Sequence, residues 1–383
     1  MKATRLFLEF FNNEKAGGFV LIACTLFSLL LANSVFGDTY LHFWHTSIAG
    51  NSLAHWINDG LMAIFFLLIG LELERELYIG ELSSLKNALL PVLAAIGGML
   101  VPAGFHLAFN HGSETQAGFG IPMATDIAFS LGVLSLFSKR VPFALKVFLT
   151  ALAIVDDLGA IIIIALFYSK AILLNNLGIA FGIFAAMLVL NRLRVHNLLP
   201  YLIGGVAMWY FFLHSGIHAT IAGVLLAFAI PFGDGGENSP SYLLQHWLHK
   251  PVSFGILPIF ALANTAIVLG GGWQEELFSK NSLGIFTGLV IGKPMGILIF
   301  SALAVFLKFT SLPENTSWRH LAGAGFLAGI GFTMSIFVTL LAFEAAALVK
   351  ASQISVLAAS LTAGILGAIW LRWMVKPEGQ VGQ

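Results

Sequence analysis

What most constrains this chain is a recurrence: apolar stretches, separated by short polar joints, fill it almost from end to end. Twelve can be read, at 17–33, 53–72, 88–109, 118–138, 144–169, 173–191, 198–213, 216–230, 252–269, 283–307, 321–342 and 352–375. A membrane-crossing helix needs about 20 predominantly apolar residues, so such spans use up nearly the whole length of the chain. The expected fold is all-α and polytopic, a single integral membrane domain over 1–383 with about twelve transmembrane helices.

Composition excludes the alternatives. The hydrophobic fraction is 58% and the charged fraction 10%, whereas soluble domains carry about 25% charged residues. Mean hydropathy is +0.90. A formal net charge of zero argues against a nucleic-acid partner, which would demand a basic face. The lone cysteine, Cys24, rules out an internal disulfide and any multi-cysteine metal site, and reads as a packing or lipid-facing residue. Acids and bases mix ahead of the first apolar run (Lys2, Arg5, Glu9, Glu14, Lys15) with no clear small-residue cleavage site. The N-terminus therefore reads as retained.

Lys and Arg in short loops stay cytoplasmic. With both termini inside, nearly all the basic residues fall on the cytoplasmic side, including Lys2, Arg75, Lys139, Arg140, Arg192, Arg194, Arg372 and Lys376. Only Lys170, Lys280 and Lys350 fall opposite, and Lys293 lies within a segment. The asymmetry supports an even number of spans.

Helix breakers interrupt two segments at matching places. In 118–138, Gly118, Gly120 and Pro122 precede Ala124, Thr125 and Asp126; in 321–342 stand Gly323, Gly325, Gly329 and Gly331. These are the middle members of two segment triplets, 88–169 and 283–375, which enter from opposite sides in this topology. Paired discontinuous helices in inverted-topology repeats mark the substrate site of a transporter. Glycine also permits close helix packing, and segment 321–342 taken alone reads equally well that way. The acid beside the break in 118–138 favours the site.

Four ionisable residues sit deep within apolar runs: Asp126, Asp156, Asp157 and Lys293. Each costs about 2.5–3.5 kcal/mol at a helix centre on insertion scales, so together they need a task. Asp156 and Asp157 lie in the middle of LTALAIVDDLGAIIIIALF. Successive helix residues point about 100° apart, so one carboxylate can meet a cation while the other faces an aqueous path. Lys293 is the buried cation on offer, and an Asp–Lys pair between segments 144–169 and 283–307 is expected. A helix-packing salt bridge can absorb one of the acids but not all of them. A carboxylate in a low-dielectric medium can hold a proton or a small hard cation in turn, and competition for one site with alternating exposure gives antiport. Asp157 is favoured for the ion path. At the broken helices, Asp126 and Lys293 can neutralise the dipole ends.

Further titratable residues gather near the cytoplasmic face: Glu72, Glu74, Arg75, Glu76, Glu81, His246 and His249, with His218 placed inside segment 216–230. Histidine changes charge near neutral pH, so such a cluster can gate access. Glu74 and Glu81 read as a solvated helix end. His246 and His249, two ligands with no near third, are poor grounds for a metal site.

The motifs ATDIAFSLGVL around Asp126, LAIVDDLGAIIIIALFY around Asp156 and Asp157, IGKPMG around Lys293 and AGIGFTMSIF around Gly331 are those of the NhaA-type Na+/H+ antiporters of bacteria, which this chain resembles over essentially its full length. WINDGLMAIFFLLIGLELEREL (56–77) and HSGIHATIAG (214–223) match as well. This family is itself among the cases behind the rule on broken helices and inverted repeats, so that agreement is not independent. The resemblance implies a multi-pass protein of the inner membrane, not an enzyme, with twelve spans in inverted repeats. It implies electrogenic exchange of two protons for one Na+ or Li+, activation at alkaline pH, dimerisation and no cofactor. Carried over by position, Asp156 and Asp157 bind the ion and the proton, with transported Na+ as their only metal. Thr125, Asp126 and Gly331 belong to the broken-helix site and Lys293 is the charge partner. Glu72, Arg75, Glu76, His218, His246 and His249 form the pH-response region. Two departures stand out: Gln245 replaces an acid before His246, and the 34–52 connection is short for the strand hairpin that pairs protomers in the family.

Two rival classes, an intramembrane enzyme and a channel, fit less well. Intramembrane aspartyl proteases place their acids on separate helices in a GxGD context, and a polyprenyl transferase needs a DDxxD motif, whereas position 160 is Ala. A passive Na+ channel favours a ring of acids or carbonyls along a continuous pore.

Overall fold

The computed structural model of the chain describes residues 5–138, 140–169 and 172–375. Lys2, Lys139, Lys170 and Lys376 of the orientation argument lie outside them, as does the start of the N-terminus read as retained. Among the described residues, Leu53–Tyr78, Leu85–Asn110, Phe143–Phe167, Leu174–Arg192, Lys280–Phe306 and Ala346–Trp373 are helices long and apolar enough to cross a membrane. Three bent helix pairs raise those 6 spans to as many as 9. Of the remaining expected segments, 198–213 forms the shorter apolar helix Leu198–Leu213, while 216–230 and 252–269 form still shorter pieces, Ile221–Ala229 and Leu257–Asn264. Strand occurs, among the described residues, only in an antiparallel pair of Ser47–Ile48 with Asn51–Ser52. Ala49 and Gly50 close it at φ 51 and 90, the left-handed turn that suits a two-residue hairpin. The 34–52 connection thus holds a minimal hairpin after all.

The chain divides into two compact units. In the unit built mainly from Cys24–Gly80 and Ile161–Ala266, helix Leu53–Tyr78 packs on Ile221–Ala229 through small residues. A Cβ on Gly70 would meet Ala227 and the Val224 backbone, and one on Gly223 would meet the backbone of Ala63 and Leu67. Such positions let membrane helices close in where no hydrophobic effect drives them together. The long helix begins with a π turn, Ile57–Leu61, that carries Asn58 and Asp59, and the side-chain amides of Asn58 and Asn264 exchange hydrogen bonds of 2.8 and 3.3 Å. Helix Leu198–Leu213 stops at a turn in which the Ser215 hydroxyl donates to the Phe212 carbonyl at 2.8 Å and Gly216 takes φ 85. The next helix starts only at Ile221, so His218 lies in the turn and not within a span as expected.

The second unit, mainly Glu81–Ala160 and Ile267–Gln383, contains both triplets. Each runs long helix, bent pair, long helix. In the first, Leu85–Asn110 and Phe143–Phe167 flank a 3-10 helix, Glu114–Met123, and an α-helix, Ile127–Ser135, set at 42° to it. In the second, Lys280–Phe306 and Ala346–Trp373 flank Trp318–Ala328 and Phe332–Ala342, set at 46°. The first break, 124–126, falls just after Gly118, Gly120 and Pro122, and the second, 329–331, on Gly329 and Gly331. Span Lys280–Phe306 widens into a π turn, Gly288–Gly292, immediately before Lys293 and Pro294. Proline lacks the N–H that the preceding turn would bond, and a π turn is one of the few ways a helix absorbs that loss. The span crosses Leu85–Asn110 at Gly97 and Gly296, where a Cβ on either glycine would strike the carbonyl oxygen of the other.

Candidate ion-binding site

At the centre of the second unit the two breaks supply each other's missing hydrogen bonds. A helix end leaves carbonyls and N–H groups without intrahelical partners, and hydrocarbon offers no water to meet them. The Ser130 hydroxyl donates to the Leu327 carbonyl at 2.8 Å, and the Asp126 N–H donates to the Ile330 carbonyl at 2.7 Å. In return the Ser335 hydroxyl donates to the Ile121 carbonyl at 2.7 Å. The Phe332 N–H finds Ser360 Oγ at 3.1 Å. None of these serines stood out in the sequence, where only the neighbouring Gly and Pro residues marked the breaks.

Asp126 and Lys293 take the helix ends of opposite sign. Asp126 Oδ1 accepts from the Phe129 N–H at 2.9 Å, and Oδ2 accepts from the Thr333 N–H and hydroxyl at 3.1 and 2.5 Å. One carboxylate therefore caps the N-termini of both Ile127–Ser135 and Phe332–Ala342, where the helix dipole favours negative charge. Lys293 Nζ donates to the carbonyl of Met123, the last residue of the 3-10 piece. Thr333 escaped the sequence reading, although its place just after the glycine run was a usable signal. Gly331 caps the same half-helix at φ −90, a conformation open to any residue. What it provides is space, since a Cβ would run into Ser335 and Leu289.

The expected Asp–Lys pair is Asp156 with Lys293: Nζ lies 2.8 Å from Asp156 Oδ2, and both side chains are 0% exposed. The Thr125 hydroxyl stands 2.8 Å from the same Oδ2 and 3.0 Å from the Ala328 carbonyl, with one proton to give to either. Asp157 is equally buried, and neither of its oxygens has a hydrogen-bond partner among the described residues. Asp156 Oδ1 is in the same position. Beside these partnered backbone groups, the side-chain acceptors of Asp156 and Asp157 left over among the described residues are carboxylate oxygens.

The titratable cluster lies in the first unit, on two helices. Glu72 Oε1 is 3.5 Å from His249 Nε2, both buried. Glu74, expected in solvent, is 4% exposed and accepts from the Ser241 hydroxyl at 3.2 Å. The reason is packing: Pro240–Pro251 covers this end of Leu53–Tyr78. The Arg75 guanidinium sits 5.2 Å above the Tyr242 ring and donates to the Gly235 carbonyl at 3.4 Å. Tyr242 in turn stacks on the exposed His246 ring, centroids 6.3 Å apart and planes within 9°. Gln245 is buried at 4% exposure. Glu76 is half-buried beside Gly80, and Glu81 is half-buried where full solvation was expected. His218 does not contact these groups through any bond described, and donates from Nε2 to the Tyr168 carbonyl at 2.9 Å. Asp59, another acid in a span, also escaped the sequence reading; its Oδ2 is 3.2 Å from His55 Nδ1.

Known proteins resemble this chain over nearly its whole length. The model of a family described as Na+/H+ antiporter 1 matches residues 8–371. A Flavobacterium psychrophilum protein named Na(+)/H(+) antiporter NhaA is 61% identical over 376 residues, covering 98% of each chain. Proteins of the same name from Dechloromonas aromatica and Cytophaga hutchinsonii are 58% and 57% identical, the first over 99% of this chain and 98% of its own, the second over 98% and 97%.

Proposed function

Because the chain belongs to the Na+/H+ antiporter 1 family, we propose that it exchanges Na+ or Li+ for protons across the bacterial inner membrane. The observation that carries this reading is the set of buried carboxylate oxygens, Asp156 Oδ1 with both oxygens of Asp157, that no described donor meets. Buried acceptors of that kind are satisfied by a proton or by a hard cation, which prefers oxygen ligands. With Asp156 neutralised by Lys293, Asp157 is the carboxylate that trades one for the other. Thr125, at the first break, holds its hydroxyl against the neighbouring Asp156, and alternating exposure of that spot turns competition into antiport.

The finer features belong to the same reading: about twelve spans in inverted repeats, the bent pairs as two discontinuous spans, and both termini cytoplasmic. Exchange is electrogenic, two H+ for one Na+, so that the membrane potential drives sodium out at about 2.3 kcal/mol per 100 mV for each net charge moved. Alkaline pH activates it through Glu72, Arg75, Glu76, His218, His246 and His249, and the protein works as a homodimer in lipid.

Everted vesicles test the core of this reading. With an acid lumen and a pH-sensitive dye, NaCl and LiCl are expected to dequench the signal and KCl to leave it unchanged, and the response disappears in Asp157→Asn. Silence toward Na+ and Li+ at every pH, or full exchange by Asp157→Asn, would overturn it.

A further inference from the structure

Three residues near one end of helix Leu53–Tyr78 engage the same second helix: Glu72 meets His249, Glu74 meets Ser241 and Arg75 meets Tyr242. Of these, Glu74 is the one that sequence placed in water and packing placed inside. The Ser241 hydroxyl is its hydrogen-bond donor among the described residues. A buried carboxylate met by a single hydroxyl is far more sensitive to its own charge than one in solvent, because the low dielectric strengthens every interaction it makes. Gln245, on the facing helix, supplies no charge where the resemblance leads one to expect an acid.

We propose that Glu74 is the proton-responsive acid of this cluster in place of a carboxylate at position 245, and that Ser241 transmits its charge state to helix Pro240–Pro251. The proposal rests on the antiport reading and names how that activity is regulated. The other titratable and charged groups of this contact are Glu72, Arg75 and Glu76 on the helix of Glu74 and Tyr242, His246 and His249 on the helix packed on it, with Asp234 on the loop whose Gly235 carbonyl Arg75 reaches. Helix Ile221–Ala229, packed on the same span, brings no titratable side chain. Loss of the Glu74 proton puts a new negative charge on a buried side chain held by Ser241 of the facing helix. The Glu72–His249 and Arg75–Tyr242 contacts join the same two helices, so a change at Glu74 bears on the seam they share. Ser241 donates to the ionised form and favours it, which couples the switch to Pro240–Pro251 directly.

The test is the activity–pH curve for Na+-driven dequenching in everted vesicles, taken for wild type, Glu74→Gln, Glu74→Asp and Ser241→Ala. Gln mimics the protonated acid, so Glu74→Gln is expected to move the rise in activity to higher pH and make it shallower, with the apparent Na+ affinity on the plateau unchanged. Ser241→Ala moves the curve the same way by less, and Glu74→Asp keeps the wild-type steepness. A Glu74→Gln curve that superimposes on wild type overturns the proposal and leaves antiport standing. So does an equal shift in Glu74→Asp, which would indicate packing. Wild-type exchange with a flat pH profile overturns the proposal together with pH regulation, while absence of any wild-type exchange overturns the antiport reading itself.

Discussion

Lys293 and Asp156 are worth more to each other than to the fold. Both are 0% exposed and 2.8 Å apart, and a buried charge stripped of its partner costs about 3–5 kcal/mol, whereas replacing both by neutral groups is often tolerated. Lys293→Ala is therefore expected to lower the thermal midpoint of the detergent-solubilised protein clearly, and Asp156→Asn combined with Lys293→Ala to recover part of the loss. Equal midpoints for the single and double variants would show that the ion pair is not what holds the break in place. That one of the adjacent aspartates pairs with Lys293 was legible from apolar runs alone, because no other buried cation was on offer. Which one was not, since a 100° step along a helix says nothing of where Thr125 and Lys293 stand around it. Glu74 makes the same point in reverse: near a span end it read as solvated, and a neighbouring helix buried it.

At the scale of the element, the breaks depend on how closely their supporting helices approach. Gly97 and Gly296 bring the backbones of Leu85–Asn110 and Lys280–Phe306 into contact, and Gly296 lies one turn beyond Lys293. Gly296→Leu forces the helices apart at the level of the ion pair. Overpacking of this kind costs about 1–3 kcal/mol, and the variant is expected to lose thermal stability and vesicle exchange together. Gly104→Ala on the facing helix Leu85–Asn110, where a Cβ would meet nothing, serves as the control and should retain both. Wild-type behaviour in Gly296→Leu would mean the crossing is not what positions Lys293. The breaks themselves were legible as Gly and Pro clusters. Their mutual hydrogen bonding, such as Asp126 to Thr333, was not, because each partner lies some 200 residues away in a different triplet.

For the molecule as a whole, the decisive property is charge movement. In vesicles with both a pH gradient and a membrane potential, collapsing the potential with a potassium ionophore is expected to change the rate of Na+-driven proton flux, and an unchanged rate would mean electroneutral exchange. The sequence by itself determined that this is a helical membrane protein, that two of its apolar segments carry helix breakers, and that the ionisable residues deep within apolar runs include Asp126, Asp156, Asp157 and Lys293. Hydropathy and helix breakers are local properties, and a bilayer turns them directly into spans and interruptions. Tertiary structure alone decided that Asp126 caps two half-helices, that Asp156 pairs with Lys293, that no described residue meets the oxygens of Asp157, and that Glu74 is buried. Each of those depends on which side chains from distant parts of the chain converge at one depth, and in a low dielectric that convergence sets whether a charge is met or left to an ion.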